Sequence, residues 1–196
     1  MAQVVDVKNT GLRGIAVADT KISFIDAEKG VLIYRGYRIE ELAERSTFME
    51  VAYLLLNGSL PGTGELDPFE REVKSAREVP PYVVACMKQW PKEAKPMDVL
   101  QACVPVLAMA DPDLSGESRE ANVKMAIRLI AQMPGVVAAW HRIRSGLEPL
   151  APEADLSHAA NFLWQLHGKK PDAETARDLY VCLILHADHT FNASTF

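Results

Sequence analysis

Two histidines, a carboxylate and an amide lie close together near the end of the sequence. His186, Asp188, His189 and Asn192 fall within the seven positions directly after the apolar run 180–185. Polar groups at the end of a buried helix are unfavourable unless they are hydrogen-bonded or used in chemistry. This segment is therefore the strongest candidate for a functional site.

The spacing of these residues allows three interpretations. On a helix that continues past residue 185, His186 and His189 share a face, and Asp188 is turned roughly 160° from His186. The first interpretation is an ordinary helix end whose polar groups bond to backbone and water. The second is half of a metal site, although no other His or Cys pair in the sequence has ligand spacing. The third is a site for an anion or carbonyl, in which a histidine donates to an oxygen and Asn192 adds a neutral donor.

The composition is that of an ordinary globular domain. Of the 196 residues, 48% are apolar and 24% charged, which is typical of such proteins. The net charge is −5 and no block of Lys or Arg stands out, which argues against nucleic acid or an anionic membrane as the main partner. A few local cations still suffice to bind a metabolite anion.

The cysteines, the apolar runs and the remaining histidines give further expectations. Cys86, Cys103 and Cys182 are widely spaced among apolar neighbours, and we expect buried, reduced thiols. No apolar run approaches the ~18 residues of a membrane span, and residues 1–19 lack the apolar core of a signal peptide. A cytoplasmic or similarly reducing location is therefore expected. The other histidines are expected on surfaces or at helix ends; they are His141, His158 and His167.

The elements that position the polar segment can be predicted from periodicity. Residues 21–26 and 31–35 form a β-hairpin whose loop uses Gly30, and Gly36-Tyr37 ends it. From residue 39 onward the pattern predicts seven or eight helices. The resulting fold class is mostly α, with the hairpin as a minor attachment.

Local signals fix several helix boundaries. Ser46 or Thr47 is an N-cap with Glu50 placed for a capping box. A long helix over 119–145 has Pro134-Gly135 in its middle, which predicts a break or kink. The last helix runs from Ala173 to Leu185 or beyond, with Asp172 as its N-cap.

The whole sequence resembles the citrate synthase family. The closest resemblance is in 183–189, Leu-Ile-Leu-His-Ala-Asp-His, with 192–196, Asn-Ala-Ser-Thr-Phe, which is similar to the family's oxaloacetate-binding segment. Further segments match in the family's order. They are 11–15, 20–26, 34–37, 46–58 with Leu60-Pro61, 96–98 and 156–163.

The resemblance implies a nearly all-α, two-domain fold that works as a homodimer. Residues 1–37 form an N-terminal segment with the hairpin, and 38–196 form an incomplete helical large domain of the citrate synthase fold. The implied reaction condenses acetyl-CoA with oxaloacetate to give citrate and CoA, with no permanently bound cofactor. The variant reaction is 2-methylcitrate synthesis from propionyl-CoA. An Asp deprotonates the acyl methyl group, one His stabilises the enol and a second His donates to the oxaloacetate carbonyl.

Only part of the family's site matches residues in this sequence. His189 corresponds to a histidine that contacts oxaloacetate, and Asn192 to an active-site asparagine. His186 and Asp188 match motif positions and are expected to support the site, whereas Asn161 and Phe162 are expected to pack structurally. The catalytic Asp and histidines and the carboxylate-binding arginines are expected downstream of Phe196, so no catalytic residue is assigned here.

Two other classes of function stay open at this point. Because half of the site is expected beyond Phe196, we expect the chain to be one piece of a longer enzyme, inactive by itself and exposing an apolar face. The first alternative is a non-catalytic, truncated helical interaction module. The second is a helical metal-dependent hydrolase that uses His186 and His189.

Overall fold

The structure, a computed structural model, describes residues 18–190. Three strands come first: β1 (Ser23–Asp26), β2 (Val31–Tyr34) and β3 (Tyr37–Arg38). The helices in this part of the chain are α1 (Ile39–Arg45), α2 (Phe48–Asn57), α3 (Thr63–Ser75), α4 (Pro81–Gln89), α5 (Pro96–Ala108), α6 (Arg119–Arg144), α7 (His158–His167) and α8 (Ala173–Leu185). The predicted fold class, mostly helical with a small β-structure near the N-terminus, is confirmed.

The strands form one antiparallel sheet in the order β1-β2-β3. Gly30 in the first loop has a φ of 63°, as the hairpin prediction requires. The predicted end of the β-structure at Gly36-Tyr37 is wrong, because the chain reverses again there and pairs Tyr34 with Tyr37. Arg35 and Gly36 make this two-residue turn with φ values of 49° and 94°, a geometry that matches the twist of paired strands.

Helix boundaries follow the predicted capping signals. The Thr47 side chain accepts a hydrogen bond from the Glu50 backbone, and the Glu50 carboxylate accepts one from the Thr47 N–H, which completes a capping box. Gly58 ends α2 in the left-handed conformation. Asp172 caps α8 by accepting the Thr175 N–H at 2.8 Å.

The prediction for Pro134-Gly135 was a break or a kink, and the break is wrong, because α6 is continuous from Arg119 to Arg144. Pro134 removes only one N–H from this long helix. Gly135 serves a close approach instead: a Cβ built there would lie 2.7 Å from Cγ2 of Val79. Gly135 is therefore a point of close approach between α6 and the segment after α3.

By length and composition, α6 is also the one helix in residues 18–190 that could cross a membrane. Its most apolar 18-residue window has a mean hydropathy of 1.2, although no uninterrupted apolar run of that length exists in the sequence. In the structure α6 packs against α3, α4, α5 and α7. A central core helix meets the same criterion, and the packing of α6 is that of a core helix.

The sheet is joined to the last helix through a shared core. Tyr34 of β2, Leu42 of α1, Leu54 of α2 and Ile184 of α8 form one cluster of buried side chains. Arg177 strengthens the junction, because its guanidinium donates to the backbone carbonyls of Ala43, Glu44 and Ser46 at the end of α1. The two chain ends of the described region are thereby held side by side.

The prediction of three buried thiols is confirmed for Cys103 alone and is wrong for Cys182. Cys103 is buried and Cys86 is partly buried, whereas Cys182 is exposed. Cys182 lies on the face of α8 that is turned away from the core cluster, which an apolar sequence neighbourhood does not reveal. All three cysteines are unpaired.

Candidate functional site

The polar segment after α8 is a turn and not a continued helix. α8 ends at Leu185, and His186 is its C-cap with φ −113° and ψ 10°. The Ala187 N–H bonds to the Ile184 carbonyl, three positions earlier, which makes a tighter turn than that of an α-helix. The premise that His186 and His189 share a helical face is therefore wrong. We refer to residues 186–190 as the post-helix turn.

The hydroxyl of Tyr34 holds this turn from the sheet. Tyr34 is fully buried, and its hydroxyl donates to the Asp188 carbonyl at 3.0 Å and accepts the Asp188 N–H at 3.2 Å. The Leu185 carbonyl lies 3.5 Å from the same oxygen. Burial, and secondarily the nearby Asp188 carboxylate, raises the pKa of Tyr34. The hydroxyl therefore stays protonated near neutral pH and keeps its donor.

The side chain of Asp188 forms a second attachment. One of its carboxylate oxygens accepts a hydrogen bond from the Ser23 hydroxyl of β1. The same oxygen accepts the Thr190 N–H at 3.0 Å. Asp188 therefore links the sheet to the residue on the far side of His189. Thr190 has a φ of 64°, an uncommon conformation for a residue with a Cβ, and the bond to Asp188 helps to hold it.

His186 is attached to the helix that precedes it. Its Nδ1 lies 2.7 Å from the backbone oxygen of Cys182, one turn earlier in α8. A histidine with Nδ1 bonded to a carbonyl carries its proton there, which leaves Nε2 as an acceptor in the neutral ring. The ring is exposed at the end of the helix.

The structure describes one of the two predicted substrate-binding residues, His189. His189 is exposed and lies between Asp188 and Thr190, whose backbones are both hydrogen-bonded. Asn192 lies outside the described residues, as does the segment 11–15 of the family resemblance. The structure therefore brings His186, Asp188 and His189 together in one turn.

Sequence reasoning missed Tyr34 and Ser23 as neighbours of this turn. They are 154 and 165 positions away from Asp188 along the chain. The signal available in the sequence was the apolar run around Tyr34, which predicts that the tyrosine ring is buried and that its hydroxyl then needs a partner.

His158, which we expected on the surface or at a helix end, begins α7 but is only 5% exposed. Its ring stacks on Phe48 with 5.5 Å between centroids. Burial, with the nearby Arg77 cation as the lesser cause, lowers the pKa of His158 to about 4. The side chain is therefore neutral at physiological pH. The remaining two histidines, His141 and His167, are exposed near the ends of their helices.

Asn161 packs structurally, as predicted. It is buried, its Oδ1 accepts the Glu153 N–H at 2.8 Å, and its Nδ2 donates to Gln165 at 2.9 Å. These bonds fix the loop that leads into α7.

The structure also has a large recess, whose lining includes none of the residues of the post-helix turn. This recess has a volume of about 430 Å³ and apolar walls from α2, α6, α7 and α8, to which Leu183 contributes. In residues 18–190 no group of three His, Cys, Asp or Glu side chains could hold a metal ion. The turn thus presents two exposed imidazoles, and that of His189 lies on a backbone that is hydrogen-bonded on both sides.

Comparison with known proteins matches these features to one family. The sequence model described as "Citrate synthase, C-terminal domain" matches residues 11–196. The chain belongs to the citrate synthase family. It is 46% identical over 191 residues to the citrate synthase of Acidithiobacillus ferridurans, covering 95% of this chain and 50% of that protein. It is also 37% identical to a 2-methylcitrate synthase of Mycobacterium tuberculosis, covering 97% of this chain and 48% of that protein.

Solved citrate synthases have the same fold. The enzyme from Pyrobaculum aerophilum superposes with a TM-score of 0.88 at 40% identity, over 100% of this chain and 54% of that one. The enzyme from Thermoplasma acidophilum superposes with a TM-score of 0.89 at 26% identity, over 97% of this chain and 50% of that one. That second structure is a ternary complex with carboxymethyl coenzyme A and oxaloacetate. The chain spans about half the length of the curated relatives it matches.

Proposed function

We propose that this chain is part of an acyltransferase that condenses acetyl-CoA with oxaloacetate to give citrate and CoA. The acyl group becomes an alkyl group in the product, because its methyl carbon forms the new bond. Membership of the citrate synthase family supports the reaction class. The observation that supports this site most directly is the position of the exposed His189 in the post-helix turn, between two residues whose backbones are hydrogen-bonded.

In this proposal His189 and Asn192 bind oxaloacetate. An imidazole N–H and an amide N–H are suitable donors to a keto or carboxylate oxygen, and a protonated imidazole adds a charge-assisted bond. His186 and Asp188 support the turn through their bonds to Cys182, Ser23 and Thr190. The groups that deprotonate the acyl methyl and stabilise the enol belong to the other half of the enzyme, so the 196-residue chain alone is inactive.

Further features of the proposal concern the whole protein. The predicted boundary between an N-terminal segment with the β-structure (1–37) and the helical large domain (38–196) moves by one residue, because β3 ends at Arg38 and α1 begins at Ile39. The complete enzyme is a homodimer that needs no permanent cofactor and uses acetyl-CoA as a co-substrate. The unpaired cysteines support a reducing, cytoplasmic location.

A second candidate is 2-methylcitrate synthesis from propionyl-CoA. The identity of 37% to a 2-methylcitrate synthase favours it as the alternative. The two reactions differ by one methylene in the acyl group, which a pocket discriminates by about 1–3 kcal/mol. Oxaloacetate is common to both, so the role of His189 is the same in each.

The test is steady-state kinetics of His189→Ala in the full-length protein, with each substrate varied in turn. Loss of a direct contact should raise the oxaloacetate KM and lower kcat, while the acyl-CoA KM changes by less than about twofold. His141→Ala is the matched control, since that histidine is exposed and near the end of α6. An oxaloacetate dependence equal to that of the wild type would exclude His189 from the site.

A further inference from the structure

We propose that Tyr34 and Ser23, on the N-terminal sheet, are positioning residues that hold His189 in the orientation that binds oxaloacetate. This inference rests on the proposed function. Neither residue contacts substrate in this proposal; both act through the backbone and side chain of Asp188.

Tyr34 fixes the backbone before His189. Its hydroxyl bonds to both the N–H and the carbonyl of Asp188. The peptide that joins Asp188 to His189 contains that carbonyl, so its plane is set by the hydroxyl. Because the Tyr34 ring is fully buried against Leu42 and Ile184, the hydroxyl cannot follow a shift of the turn.

Ser23 fixes the backbone after His189 through the Asp188 carboxylate. Ser23 is itself buried at 8% exposure, and its hydroxyl orients the carboxylate that accepts the Thr190 N–H. Loss of that bond would remove a contact that stabilises the positive φ of Thr190. The two sheet residues therefore set the backbone on both sides of His189.

The residues that orient His189 are different from the residue that contacts substrate in this proposal. The His189 ring is exposed, while the atoms that determine its direction are bonded to β1 and β2. An ordinary helix end would need only local caps. The turn is instead held by strands more than 150 positions earlier in the chain, an arrangement that suits a side chain whose direction matters.

The test compares Tyr34→Phe with Tyr180→Phe in the full-length protein. Both variants delete one phenol hydroxyl and keep the ring. The hydroxyl of Tyr180, in α8, accepts the His158 N–H at 3.2 Å and has no hydrogen bond to the turn. We expect Tyr34→Phe to lower kcat/KM for oxaloacetate on the order of tenfold, since small misplacements of a binding group have large effects. The acyl-CoA KM should change by less than about twofold. Tyr180→Phe should leave the oxaloacetate kinetics unchanged, even if it lowers the melting temperature equally.

Ser23 offers a rescue experiment. Ser23→Ala should weaken oxaloacetate use in the same direction as Tyr34→Phe, whereas Ser23→Thr keeps a hydroxyl and should restore it. A merely structural role would make the activity follow the melting temperature and not the hydroxyl.

The decisive comparison is a double-mutant cycle. If Tyr34 acts through His189, Tyr34→Phe should have no further effect on oxaloacetate kinetics in a His189→Ala background. Full additivity of the two changes, or equal effects of Tyr34→Phe and Tyr180→Phe, would overturn the positioning role while leaving the proposed function intact. A wild-type protein with no oxaloacetate-dependent CoA release would overturn both, and so distinguishes the two failures.

Discussion

Buried, neutral His158 should make the protein lose stability in mild acid. Its pKa is about 4 in the folded state against 6.5 for an unperturbed histidine. Between these values the unfolded chain binds a proton that the folded chain does not bind. The free energy of unfolding therefore falls as the pH falls from about 6.5 to about 4.

The size of the effect follows from the shift. Each pKa unit corresponds to about 1.4 kcal/mol, so the full loss is about 3 kcal/mol, of which about 2 kcal/mol lies between pH 7 and pH 5. The His158→Phe variant keeps a ring that can stack on Phe48 but cannot be protonated. Carboxylates titrate equally in both proteins, so the difference between them isolates His158.

The assay is urea unfolding at pH 7 and pH 5, followed by the fluorescence of the tryptophans, which include buried Trp140. The wild type should lose about 2 kcal/mol more than His158→Phe over this range. An NMR titration of the His158 ring should show no protonation above about pH 5. Equal pH dependence of the two proteins would refute the claim that His158 is buried and neutral.

Two further substitutions test the packing. Gly135→Ala should destabilise the protein by about 1–2 kcal/mol although alanine favours helix, because its Cβ would lie 2.7 Å from Val79. The melting temperature should recover when Val79→Ala is added. A Gly135→Ala protein that is more stable than the wild type would contradict the close approach. Arg177→Lys should cost about 1–2 kcal/mol in urea unfolding, since lysine cannot reproduce the fork that bonds three carbonyls at the end of α1. Arg71→Lys on the exposed side of α3 is its control. Equal effects of the Arg177 and Arg71 substitutions would show that the bonds of Arg177 to the end of α1 do not stabilise the protein.

The predictable parts of the fold are those fixed by local chemistry. The capping box of Thr47 and Glu50, the Asp172 cap and the glycine after α2 are set by neighbours within four positions. Because these signals mark both ends of α2 and the start of α8, those boundaries could be derived from the sequence. The third strand was missed because Arg35-Gly36 is a weaker turn signal than Asn-Gly or Asp-Gly.

The details that failed depend on distant contacts. Pro134-Gly135 predicts a break or kink locally, but α6 continues through the pair, and the packing of Val79 against α6 favours glycine there. The exposure of Cys182 likewise depends on which face of α8 is covered. For such residues the local sequence is compatible with more than one conformation or exposure, and tertiary packing determines which one is adopted.

In the candidate site, likewise, the residues could be selected from the sequence but their geometry could not. His186, Asp188 and His189 could be selected by their types and by the family motif, and their roles in substrate binding stay predictions. Their geometry could not be derived, because the end of α8 depends on the hydroxyl of Tyr34, 154 positions from Asp188. Periodicity instead extended the helix and placed the two histidines on one face.

Oxaloacetate-dependent release of the free CoA thiol tests the central claim most directly. It should be measured with acetyl-CoA and propionyl-CoA in parallel, on the full-length protein and on the 196-residue chain. We predict release by the full-length protein with acetyl-CoA as the better substrate, and none by the chain alone. Preference for propionyl-CoA would select 2-methylcitrate synthesis, and a full-length protein that releases no thiol with either substrate would contradict the proposed function.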